Sequence, residues 1–208
     1  MQQYLESEYN RDQSITFRAV LEACERLQDS EIERLKESIL PYLTFRDEMD
    51  RYQSKYVEDF CRESCFDSGL SACCGFESII TFFADHVISF LFSKVEEMRT
   101  IFSTLERPNR TGKCVYLGKG GCIWKIRPIS CAMFFCRQVK AGIVDNDPEA
   151  AAILTEFKSR EKEYTWPTRP VLFNDLEKYF IELGVKSPHM HFHQSPGLLR
   201  LKAESVVA

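Results

Sequence analysis

Residues 76–105 read FESIITFFADHVISFLFSKVEEMRTIFSTL, and the spacing of their apolar positions decides the fold class. Phe76, Ile80, Phe83, Val87, Leu91, Val95, Met98, Phe102 and Leu105 step by three or four, which lines them along one side of an α-helix. Ile79, Phe82 and Phe90 widen that stripe, so a central buried helix is predicted over 75–106, closing before Pro108. The greasiest part, Ile79 to Phe92, is 14 residues long and contains Asp85 and His86, whereas crossing a bilayer takes roughly 20. A soluble chain with no membrane contact is expected. His86, four residues from both Phe82 and Phe90, is predicted as a core histidine with its hydrogen bonds satisfied.

Outward from this helix the pattern stays helical. Phe17, Val20, Leu21, Cys24, Leu27, Ile32, Leu35 and Ile39 predict one or two helices over 14–40, with a capping box at Ser30 and Glu33. Pro41 is expected to interrupt, after which Phe45, Met49, Tyr52, Tyr56 and Phe60 paint a further helix running into Cys61. Asp147-Pro148-Glu149 marks a helix start extending to about Tyr164, and a last helix over 171–183 is closed by Gly184. With 208 residues and no repeat or linker, the expectation is one mainly α domain. It divides into N-terminal helices (1–60), a cysteine cluster with the central helix (61–140), and C-terminal helices with a tail (141–208).

Cysteine usage is the uneven feature. Eight of the nine cysteines lie between Cys61 and Cys136, and Cys24 stands apart on an apolar helix face, where it reads as a small hydrophobe. The opening MQQYLESEYN lacks a basic region followed by an apolar one, so no secretory signal is expected, and a reducing cytoplasm follows for the thiols. The cysteines form two groups, Cys61, Cys65, Cys73, Cys74 and Cys114, Cys122, Cys131, Cys136, the second within loops punctuated by glycine. Leu117-Gly118-Lys119-Gly120-Gly121 is predicted as the turn that brings Cys114 to Cys122. Thiolates are soft donors that suit Zn²⁺ or an iron–sulfur cluster, whereas Mg²⁺ and Ca²⁺ want oxygen. All eight are candidate metal ligands. If the backbone at 73–74 is extended, the two adjacent thiols point apart and one of them packs or serves a second metal atom.

The string Cys61-Arg-Glu-Ser-Cys65 leading to Cys73-Cys74, then Gly121-Cys122-Ile123-Trp124 and Arg127-Pro128-Ile129-Ser130-Cys131, resembles the bacterial cysteine-cluster proteins described as a zinc- or iron-chelating domain. Their pattern is C-x2-C-x2-C-C followed by G-C-x-I-Y and R-P-x-x-C-R. Here the first half is stretched, Trp124 stands where Tyr is usual, and Ala132 replaces the final Arg. The resemblance covers 61–136 and implies cysteine ligation of zinc or iron. A related branch is similar to flagellin lysine N-methylases, which implies a protein-modifying enzyme with an iron–sulfur centre as the alternative.

Between Arg107 and Lys140 there are eight Lys or Arg residues and no Asp or Glu, in a chain whose net charge is −4. The main reading is charge compensation, since four thiolates around a metal leave a negative site, with Arg127 nearest the sulfur as an outer-shell cation. The competing reading is a zinc-stabilised nucleic-acid face, with Tyr116, Trp124, Phe134 and Phe135 as stacking groups. His189, His191 and His193 alternate, so an extended backbone would align three imidazoles as a zinc site or a polar face. No nucleotide loop, zinc-protease helix or nucleophile elbow is present, so no catalytic residues are assigned.

Overall fold

Phe83 to Ser89 are buried without exception, so this stretch has no face left for solvent. The computed structural model describes residues 2–75, 80–108, 112–165 and 171–190. In chain order these form α1 (Gln2–Cys24), α2 (Asp29–Tyr56), α3 (Glu58–Cys61), α4 (Phe83–Phe92), α5 (Val95–Leu105), β1 (Leu117–Gly118), β2 (Gly121–Cys122), α6 (Ile129–Ala132), α7 (Arg137–Gly142), α8 (Pro148–Thr165) and α9 (Leu172–Glu182). The domain is mainly α, with one two-stranded hairpin among the described residues. None of the described helices is long and apolar enough to cross a membrane.

The predicted central helix is two helices. Ser93 and Lys94 are extended between α4 and α5 (ψ 152° and 158°), and residues 76–79 lie outside the described residues. The break has a local cause. The Phe82 N–H donates to Asp85 Oδ2 (2.8 Å) and the Lys94 N–H donates to Glu97 Oε2 (2.7 Å), so each helix has its own carboxylate three residues inside its start. The apolar stripe runs on through the turn, with α4 buried all round from Phe83 to Ser89 and α5 burying Met98, Ile101 and Leu105.

Pro41, expected to interrupt, sits inside α2. A proline there leaves the carbonyl four residues earlier without its helical donor, but Pro41 and Glu37 are both exposed and water can serve instead. The helix is held across this point by one buried face of Leu35, Ile39, Tyr42, Phe45, Met49 and Tyr52. Its capping box lies two residues before the predicted one, with the Gln28 N–H donating to Glu31 Oε2 at 3.0 Å. Replacing Pro41 with Ala restores the missing N–H, and we expect a gain of about 1–3 kcal/mol, read as a higher thermal midpoint.

The later helix ends follow the sequence. Asp147 Oδ1 accepts the Ala150 N–H (3.0 Å) ahead of α8, and Gly184 (φ +80°) closes α9 with its N–H on the Ile181 carbonyl (2.9 Å) and the Val185 N–H on Phe180 (3.0 Å). Two apolar clusters result. The larger joins α2, α4, α8 and α9; the smaller gathers Tyr9, Phe17, Met98, Ile101, Leu105, Tyr116 and Trp124.

Candidate metal centre

The first cysteine group is delivered by the end of α2. The chain breaks at Val57, turns once through α3 to Cys61, then widens into a π-helical turn, Arg62–Phe66, that carries Cys65. Ser71 takes a left-handed conformation (φ 35°), its N–H donating to the Cys65 carbonyl at 2.9 Å, and this reversal throws Ala72–Cys74 into a 3-10 turn. Cys73 and Cys74 are therefore not extended. Their thiols lie close enough to interact.

The second group is built against the first. The Cys114 N–H donates to the Cys74 carbonyl (2.7 Å), and Gly75 pairs with Lys113 as an isolated bridge. Gly118 pairs with Gly121 across the Lys119-Gly120 turn, Gly121 having φ +105°, and this hairpin sets Cys122 near Cys114. Cys131 lies in α6, and Cys136 precedes α7 with its sulfur accepting the Val139 N–H at 3.5 Å.

Cys61, Cys65, Cys73, Cys74, Cys131 and Cys136 all line one cleft of about 860 Å³ between residues 50–74 and residues 120–139. Cys114 and Cys122 do not line it but are near enough to Cys74 and Cys131 to repel them as thiolates. Cys24 is remote, beside Tyr179. All nine are free thiols. Burial pushes Cys61 up to about 11 and Cys114 and Cys131 up to about 12. Cys73 is lowered to about 6 by the Cys74 thiol, with Arg127 and Lys113 assisting, and Cys74 moves up in consequence. The donors are soft sulfur throughout, which fits zinc or an iron–sulfur cluster. They are spread along the cleft: among the described residues no three His, Cys, Asp or Glu side chains converge as ready ligands of one ion.

Arg127 lies at this cleft with its Nη2 donating to Asp50 (3.2 Å) and to Gln53 Oε1 (2.5 Å). The stacking groups of the nucleic-acid reading do not share a surface, because Tyr116 and Trp124 are buried in the smaller cluster, where Phe17, His86 and Tyr116 pack on Trp124, and of the four only Phe134 is well exposed. His189 is not presented to solvent either. His191 and His193 lie outside the described residues, and His189 is buried with Nδ1 2.6 Å from the Thr16 hydroxyl and Nε2 2.9 Å from the Gln13 amide.

Sequence reasoning passed over that buried network. Gln13 touches the Thr81 hydroxyl (2.6 Å), His86 Nε2 (2.8 Å) and the Tyr116 hydroxyl (2.8 Å) as well as His189, and its neighbour Thr16 also meets Ser187 (2.7 Å). The available signal was register: Tyr9, Gln13, Thr16, Phe17 and Val20 fall on one face of α1, and two of the five are polar. His86 is, as expected, a satisfied core histidine. Its Nδ1 faces the Phe82 carbonyl (2.9 Å), which only accepts, so Nδ1 carries the proton. A neutral His86 must then accept at Nε2. A half-turn of the Gln13 amide keeps every distance and supplies the donor.

No family model matches the chain, and no curated protein or solved structure is similar to it.

Proposed function

We propose that this is a cytoplasmic metal-binding protein whose centre, an iron–sulfur cluster or zinc, is held by cysteines from both the 61–74 and 114–136 groups. One observation carries the reading: segments far apart in sequence bring six thiols to a single cleft with Cys114 and Cys122 close to them, and leave Cys24 remote. Spread thiols of this kind bind by being drawn together, which couples metal uptake to closure of the walls. The cleft is larger than one ion needs, which favours the cluster over zinc. A second reading, the protein-modifying enzyme implied by the resemblance, has the same volume in its favour, since about 860 Å³ is the size of a small-molecule pocket.

The test is elemental analysis and visible absorption of protein purified without oxygen. Stoichiometric iron with sulfide and a brown colour is the expected result. Colourless protein with stoichiometric zinc selects the other metal, and protein that holds neither, before or after anaerobic reconstitution, removes the proposal.

A further inference from the structure

The segment Arg127–Ala132 carries Cys131, and side chains from two other helices hold its backbone. From α2, Arg46 Nη1 donates to the Arg127 carbonyl at 2.7 Å. Seven residues further along the same helix, Gln53 Nε2 donates to the Ala132 carbonyl at 2.5 Å, and Gln53 Oε1 accepts from the Arg127 guanidinium at 2.5 Å. From α4, Asp85 Oδ1 accepts the Ile129 N–H at 3.0 Å while its other oxygen caps its own helix. The orientation of Gln53 is fixed by its partners: a guanidinium only donates and a carbonyl only accepts, so the amide cannot be turned over without opposing both.

These bonds pin the segment at its start, middle and end, and Cys131 lies between the last two pins. Ile129 and Ala132 are fully buried on either side of it, while the Cys131 thiol reaches the cleft. The opposite wall is held differently. Residues 62–74 are bound chiefly within their own turns, by the Ser68 hydroxyl on the Ser64 and Cys65 carbonyls and by the Ala72 N–H on Cys65 Sγ.

We infer that Gln53 and Asp85 are positioning residues that hold the Cys131 thiol at a fixed place in the cleft wall before any metal arrives. That Cys131 is a ligand rests on the metal-centre reading; that it is held does not. Neither residue offers a soft sulfur donor of its own. Both act on the peptide groups around the thiol, so their loss frees Cys131 and leaves Cys24 and Cys136 as they were.

The experiment compares wild type with Gln53→Ala, Gln53→Glu and Asp85→Asn, using Ser54→Ala, a neighbouring cleft residue, as control. Metal-free protein is treated with iodoacetamide under native conditions and the rate at each cysteine is read by mass spectrometry. We expect Cys131 to react ~10-fold faster in Gln53→Ala and Asp85→Asn, with Cys24 and Cys136 unchanged, and Gln53→Glu, which keeps the Arg127 contact and loses the Ala132 donor, to fall between. In metal-loaded protein the same order should appear in the rate of loss to a chelator. If Asp85→Asn fails to fold, the half-exposed Gln53 still decides. Equal acceleration at all nine cysteines, or an unchanged Cys131 rate in folded Gln53→Ala, overturns the inference. Wild type that holds no metal defeats the metal-centre reading alone, and the alkylation rates then judge the positioning by themselves.

Discussion

Purified without oxygen, Cys131→Ser and Cys122→Ser should lose their iron or zinc, with affinity down roughly tenfold or more, while Cys24→Ser keeps its full complement. A serine hydroxyl is a hard, neutral donor and does not replace a thiolate toward a soft metal. The stability readout should move with it. A metal bound only by the folded state contributes about 4 kcal/mol when present at a thousand times its dissociation constant, so loaded wild type should melt well above either variant. Cys24 is the informative control, because burial pushes its thiol up to about 12 and it lies beside Tyr179, away from the cleft. Should Cys24→Ser be the variant that loses metal, the division of the nine cysteines into eight and one is wrong.

The second large effect is a pair of opposed pH dependences at adjacent residues. Burial raises Asp85 to about 7, against the restraint of the Phe82 and Ile129 N–H groups, whereas burial and the neighbouring His189 ring hold His86 well below the ordinary imidazole range. Between pH of about 7 and 4 the folded chain keeps the Asp85 proton that the unfolded chain, with its carboxyl near 3.9, releases, so acidification stabilises through this group. Below about 6.5 the unfolded chain takes up a proton that folded His86 refuses, so acidification destabilises through that one. Each slope is at most about 1.4 kcal/mol per pH unit, and in wild type they offset. Asp85→Asn should therefore lose up to about 2 kcal/mol between pH 6.5 and 5, and His86→Gln should lose less or gain. Urea midpoints across this range measure both. Groups remote from both residues contribute equally to the two variants, so parallel profiles would show that neither residue titrates as described.

What could be read from the sequence was whatever is decided within one helical turn. Asp147 before Pro148 and Gly184 after the last apolar residue set their helix ends by contacts of a few residues, and both stand where the residue types place them. The same locality misled at Pro41, where the preference of one residue lost to a buried face running the length of α2, and at Ser93-Lys94, where an uninterrupted apolar stripe concealed two helices. The grouping of eight cysteines against one was visible as sequence density. The grip of Gln53 and Asp85 on the Cys131 segment was not, since nothing in a glutamine or an aspartate forty or more positions away tells which peptide group it will meet.

The contacts of His189 with Thr16 and Gln13 join residues 173 and 176 positions apart. Such a pairing closes almost the whole chain into a loop, and closing it early in folding would be entropically costly with no intervening structure to repay it. Gln13 can meet Thr81, His86 and Tyr116 as soon as α4 and the hairpin segment are in place, whereas the contacts of Gln13 and Thr16 with Ser187 and His189 must wait until residues 187–190 have been made. The polar face of α1 is thus completed by nearly the last described residues, which makes this seam a closing contact between the two ends of the described fold.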